Sequence, residues 1–173
     1  MVDNATDEQI AAIVPLLEGQ IVALSEDKKS NYVIQKLIQM SSRIISTSDQ
    51  ADVKDRLMAF MRDTVDALCG RLKELSCHQS GTRIVQCVLK HFPDHSRDKL
   101  VRGFLGCFDD LVRNGYGTYV LQDALKLGNE DFTDRVRSMV EAQLLELCMD
   151  QHGSFFLESF LETSSFRELL LSR

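Results

Sequence analysis

The chain has 173 residues, 27% of them charged and 44% hydrophobic, with two prolines, nine glycines and a formal net charge of −6. That length suits one domain of ordinary size or a short array of repeats with a real core. The acidic balance excludes a general polyanion binder, whose affinity comes from many Lys and Arg contacts to phosphate, but leaves room for a local basic groove.

The opening segment MVDNATDEQI is acidic and polar, unlike a secretory signal. No apolar run approaches the ~18 residues that a membrane span needs, so no membrane partner is expected. Abundant Leu, Val and Ile at helical spacing, without strand-like alternation, predict an all-α protein. A first helix is predicted around Leu17, Ile21 and Leu24, followed by the polar turn DKKS (27–30) and a motif helix near 31–39. On that helix Asn31 and Gln35, four apart, share a face with Tyr32 beside them. Val33, Ile34, Leu37 and Ile38 form the expected core stripe. Residues 41–55, SSRIISTSDQADVKD, are rich in Ser, Thr and Asp and read as a lengthened surface loop.

The same order of elements then returns three times. Motif helices are predicted near 82–90, 118–126 and 154–162, opened by GTRIVQCVL, GTYVLQDAL and GSFFLESFL, after the turns HQSG, NGYG and DQHG. Thr82, Thr118 and Ser154 stand 36 residues apart, and so do Leu68, Phe104 and Val140; Leu72, Phe108 and Leu144; and Leu75, Leu111 and Leu147. Leu17, Ile21 and Leu24 precede the first members of these sets by 51 residues, one period plus 15. Each unit therefore reads as a preceding helix, a short polar turn and the motif helix. Ser, Thr or Asn at the start of the motif helix is expected to cap it, and the preceding Gly to relieve the turn. Units that cannot bury both faces alone must stack, which predicts an α-helical solenoid of about four repeats over 1–173. The ending SSFRELLLSR leaves little room for a cap, so a piece of a longer array is expected.

Structural need accounts for the apolar positions but not for the residues expected to face outward. Those are Asn31, Tyr32 and Gln35; Thr82, Arg83 and Gln86; Thr118, Tyr119 and Gln122; and Ser154, Phe155 and Glu158. Each unit presents a small polar residue, then a ring or guanidinium, then an amide or carboxylate one turn on. Planar groups repeated at one per unit suit stacking between unpaired bases, at about 1–3 kcal/mol per base. The amide or carboxylate can pair with a base edge that single-stranded RNA leaves free, which duplex DNA does not.

NYVIQ, TRIVQ, TYVLQ and SFFLE resemble the five-residue recognition motif of the pumilio (PUF) family, and LLEGQIVALS and LCMDQHGS resemble its surroundings. The resemblance covers residues 16 to 161. It implies a right-handed solenoid in which the first and fifth motif residues read a base edge and the second stacks. It assigns uracil to Asn31 with Gln35, adenine to Thr82 with Gln86 and to Thr118 with Gln122, and guanine to Ser154 with Glu158. Antiparallel binding then implies the core 5′-GAAU-3′, and a role in controlling the translation or stability of messenger RNA in the cytoplasm, with protein effectors as further partners.

Two other readings use the same helices: an armadillo or HEAT-like protein-binding scaffold, and a divergent pumilio-like ribosome-assembly factor, which would place the chain in the nucleolus. No GxSxG, HExxH or Walker-type loop is present, so no enzymatic activity, catalytic residue, cofactor or small-molecule substrate is expected. Cys77 and His78 are adjacent, and adjacent residues diverge by about 100° on a helix. The cysteines, Cys69, Cys77, Cys87, Cys107 and Cys148, lack CxxC spacing and suit reduced intracellular thiols. No metal site is expected from them or from the scattered histidines. Lys28, Lys29 and Arg113 in the turns are candidate phosphate contacts.

Overall fold

A computed structural model describes residues 5–162, all in helices and short connections. The expected domain limits 1–173 and the ending SSFRELLLSR reach beyond those residues. Helix α1 (Asp7–Ile13) starts with a capping box, in which Thr6 Oγ1 accepts from the Gln9 amide and Gln9 Oε1 accepts from the Thr6 amide. A single 3₁₀ turn (Val14–Leu17) and a left-handed Gly19 (φ 74°) lead to α2 (Ile21–Glu26) and α3 (Ser30–Thr47). The remaining helices fall into threes: α4 (Ala51–Gly70), α5 (Leu72–Ser76) and α6 (Gly81–His91); α7 (Asp94–Leu105), α8 (Phe108–Val112) and α9 (Gly117–Leu127); α10 (Glu130–Ala142), α11 (Leu144–Met149) and α12 (Gln151–Glu162).

The unit thus holds three helices and not the expected two. The predicted preceding helix breaks at Arg71, Cys107 and Gln143, each at φ between −128° and −135°. The break lets both pieces of one apolar seam reach the core: Leu68, Phe104 and Val140 before it, Leu75, Leu111 and Leu147 after it, are all fully buried. Motif helices stack in one row, α3 on α6 on α9 on α12, and the long helices in another, α4 on α7 on α10. The short helices join the rows.

Residues 41–55 are not the loop their composition suggests. All but 48–50 are helical, because the stretch extends α3 to 18 residues against 11 in α6 and α9, and α4 to 20 against 12 in α7. Met40 and Ile44 on α3, with Val53 and Leu57 on α4, form buried seams at four-residue spacing, and α1 packs across them. Apolar periodicity prevails over the polar composition between its members.

Val33 is the second departure in the first unit. It is 47% exposed, whereas Ile84, Val120 and Phe156 at the same motif position are fully buried. In the later units a preceding motif helix covers this position; none of the described elements covers it in α3. The fourth unit differs in the opposite direction, with Leu144 39% exposed where Leu72 and Phe108 are buried. Phe156 instead ties the third unit to the fourth, edge-on to Phe108 at 5.8 Å and stacked on Phe160 at 5.8 Å.

Candidate nucleic-acid interface

Each motif helix is launched by one repeated turn. Asp27 Oδ1 accepts from the amides of Lys29 (3.0 Å) and Ser30 (2.7 Å), and Asp150 Oδ1 from those of His152 (2.9 Å) and Gly153 (2.7 Å). Asn114 Oδ1 accepts from Tyr116 and Gly117, and His78 Nδ1 from Ser80 and Gly81. The caps are therefore Asp27, His78, Asn114 and Asp150, not the first motif residues as expected from the sequence. These backbone hydrogen bonds hold the Asp27 and Asp150 carboxyls below the usual carboxylate range. The glycines before the motifs serve close approach and not unusual dihedrals. A Cβ on Gly81 would lie 2.8 Å from the Leu75 carbonyl oxygen, and one on Gly117 2.5 Å from that of Leu111.

The first motif residues do not project outward as expected. Asn31, Thr82 and Thr118 are buried and Ser154 half-buried. Their polar hydrogens are spent on backbone carbonyls: Asn31 Nδ2 on Asp27 (2.8 Å) and Lys28 (2.9 Å), Thr118 Oγ1 on Gly115 (3.2 Å) and Ser154 Oγ on Gln151 (3.1 Å). Thr82 Oγ1 reaches into the next unit, to the Tyr116 carbonyl at 3.4 Å. Short polar side chains commonly bond back to nearby backbone in this way.

The second motif residues lie open. Tyr32 is 70% exposed, Tyr119 57% and Phe155 61%, and Arg83 is exposed with them. The fifth residues Gln35, Gln86 and Gln122 are half-buried and Glu158 exposed. Gln35 Nε2 donates to Asn31 Oδ1 (2.9 Å), so the first motif residue of α3 fixes the fifth. Gln86 Nε2 donates instead to Asp123 Oδ2 of the next unit (2.8 Å). Arg83, Gln35, Gln86 and Asp123 line one open cleft of about 450 Å³ where α3, α6 and α9 meet.

Ion pairs on the surface bridge consecutive units: Lys73 to Asp110 (2.8 Å) and Lys99 to Asp66 (2.5 Å). Arg113, a candidate phosphate contact from the sequence, belongs to this set. Its Nη2 donates to Gln143 Oε1 and Glu146 Oε2, both at 2.9 Å, so it joins the third unit to the fourth. Cys77 and His78 form no thiolate–imidazole pair: burial raises the Cys77 thiol, and His78 Nδ1 is committed to the turn. Burial pushes Cys87 and Cys107 up to about 11, which leaves them poor nucleophiles at neutral pH. No described helix is long and apolar enough to cross a membrane.

A family profile described as the Pumilio-family RNA binding repeat matches residues 20–43, 71–102, 109–138 and 143–170, one stretch per unit and more than half of the chain. The chain belongs to the pumilio family. A pumilio domain-containing protein of Schizosaccharomyces pombe is 27% identical over 170 residues, covering 97% of this chain and 23% of its own length. Pumilio homology domain family member 4 of Saccharomyces cerevisiae is 26% identical over 169 residues, covering 95% of this chain and 17% of its own. The chain thus spans less than a quarter of these pumilio relatives. Among solved pumilio structures, the Puf4 RNA-binding domain bound to the HO endonuclease RNA 3′ UTR recognition sequence superposes with a TM-score of 0.78 at 17% identity, over 96% of this chain and 47% of that one. The Puf3 RNA-binding domain bound to a Cox17 RNA 3′ UTR recognition sequence gives 0.76 at 20% identity, over 99% and 45%. The solenoid fold is common to all three.

Proposed function

We propose that this pumilio chain binds single-stranded RNA along its row of motif helices, one base per unit, and through that binding regulates the translation or stability of messenger RNAs in the cytoplasm. The observation that carries the reading is the exposure of Tyr32, Arg83, Tyr119 and Phe155 at one position of four consecutively stacked helices. Leaving three rings bare to water is unfavourable unless something flat covers them, and unpaired bases do so. Gln35, Gln86, Gln122 and Glu158 read the base edges. Buried Asn31, Thr82 and Thr118 shape the site from beneath, Asn31 by holding Gln35. The core is 5′-GAAU-3′, with Glu158 accepting from the ring N–H and amine of guanine.

Four stacked bases at about 2 kcal/mol each set a gross term near 8 kcal/mol before ordering costs, which limits the isolated chain to about micromolar affinity. Flanking repeats or a protein effector would raise it. The test is fluorescence anisotropy with a labelled RNA octamer containing GAAU, the same RNA with G replaced by U, and the Glu158→Gln variant. Saturable binding that prefers G, and loses that preference in Glu158→Gln, is the expected result. No saturable binding, or equal binding to both RNAs, would overturn the reading.

A further inference from the structure

Among the described residues, Gln86 is the one fifth motif residue held by a carboxylate. Gln35 is held from within its own helix by Asn31, whereas Gln86 is held across a unit boundary by a carboxylate. Lys36, Cys87 and Ser159 occupy the place of Asp123 in the other three units, so Asp123 is the one acid of that register. It is positioned on α9 directly after Gln122 and lines the same cleft as Gln86 and Arg83. Its other oxygen lies 3.4 Å from Lys126 Nζ, an exposed and weakly bound partner.

A primary amide carries a donor and an acceptor whose places exchange on a half-turn, so an unrestrained glutamine serves an adenine edge and a uracil edge alike. A carboxylate can only accept. Asp123 therefore turns Nε2 of Gln86 toward itself and leaves Oε1 as the free acceptor of the amide. Any base in the cleft also meets the remaining lone pairs of the carboxylate. An exocyclic amine can donate to both oxygens, and hydrogen bonds to an ionised acceptor are the stronger kind. Uracil would instead offer a single ring N–H flanked by two carbonyl oxygens, which the carboxylate repels.

We propose that Asp123 is a specificity-determining positioning residue. By fixing the Gln86 amide and presenting its own carboxylate, it makes the second unit select a base with an exocyclic amine, adenine first, and reject uracil. This rests on the RNA-binding reading above, in which the second unit faces the third nucleotide of GAAU.

The experiment is competition anisotropy with the full chain, varying the third nucleotide through A, C, G and U, with a G-to-U change at the first nucleotide as the internal control. The proteins are the unchanged chain, Asp123→Asn and Asp123→Ala. The unchanged chain should favour A over U at the third nucleotide by about tenfold, the scale of one good base-edge pair. Asp123→Ala should bring that ratio within about threefold. Asp123→Asn, which keeps an acceptor for Gln86 but loses the charge, should fall between Asp123→Ala and the unchanged chain. In both variants the preference for G at the first nucleotide should persist, which also shows that they are folded. If the first-nucleotide preference persists but the third-nucleotide ratio is the same in all three proteins, or is absent from the unchanged chain, the inference falls and the RNA-binding reading stands. If the unchanged chain is blind to every nucleotide, the reading itself falls and the inference with it.

Discussion

Neighbouring residues of one motif meet opposite environments. Thr118 is buried against the turn while Tyr119, the next residue, is mostly open to solvent. The buried hydroxyl satisfies its hydrogen bond locally, whereas the ring stays open, and the proposed stacking on RNA rests on that difference. Thr64 shows what an unsatisfied buried hydroxyl looks like. It is fully buried without a hydrogen-bond partner, where the corresponding residues of the next units are Leu100 and Val136, both buried and apolar. Thr64→Val should therefore stabilise the fold by about 1 kcal/mol, by removing an unpaired polar group from the core. A urea melt reads this directly, as a higher midpoint at unchanged slope; an unchanged or lower midpoint would show that the hydroxyl is satisfied after all.

At the scale of the element, the turn and its cap decide where each motif helix begins. Asp27 and Asp150 have lowered carboxyl pKa values, so they contribute stability that is present above the ordinary carboxylate pKa of about 3.9 and lost as pH falls through the still lower folded values. Asp27→Asn with Asp150→Asn keeps the acceptor oxygens and removes their titration. Thermal melts between pH 2 and 6 should show a shallower acid loss in the double variant than in the unchanged chain, and parallel curves would contradict the assignment. The period, the four motif helices and their seams were legible because apolar side chains must recur wherever stacked units meet. The break within each unit was only partly legible: Gly70 and Gly106, one period apart, stand directly before Arg71 and Cys107, but Ala142 holds that place before Gln143. The hairpin at 41–55 carried a usable signal in Met40, Ile44, Val53 and Leu57, masked by the Ser, Thr and Asp between them. The burial of Asn31, Thr82 and Thr118 was illegible because their partners are backbone carbonyls. Nothing near Gln86 in the sequence points to Asp123, which belongs to the next unit.

The molecule as a whole is held together by contacts between neighbours in a row, so damage should stay local. Phe156 carries the junction between the third and fourth units, through Phe108 in one direction and Phe160 in the other. Phe156→Ala should cost about 3–5 kcal/mol, as large-to-small changes in a packed core do. Hydrogen exchange should then speed up in α11 and α12 while the α3–α6 pair keeps its protection. Uniform loss along the whole chain would mean that the four units fold as one block.

The lengthened helices at the start of the row carry a last implication. The added residues travel out along α3 and come back along α4, so the chain returns to the level it left, and α3 still lies directly against α6. An insertion placed this way is neutral to the reading frame of the surface: Gln35 and Gln86 remain on adjacent helices, with no helix wedged between them. Length can be added to or taken from that detour in matched amounts, outbound and inbound, without changing the pitch at which the motif helices stack.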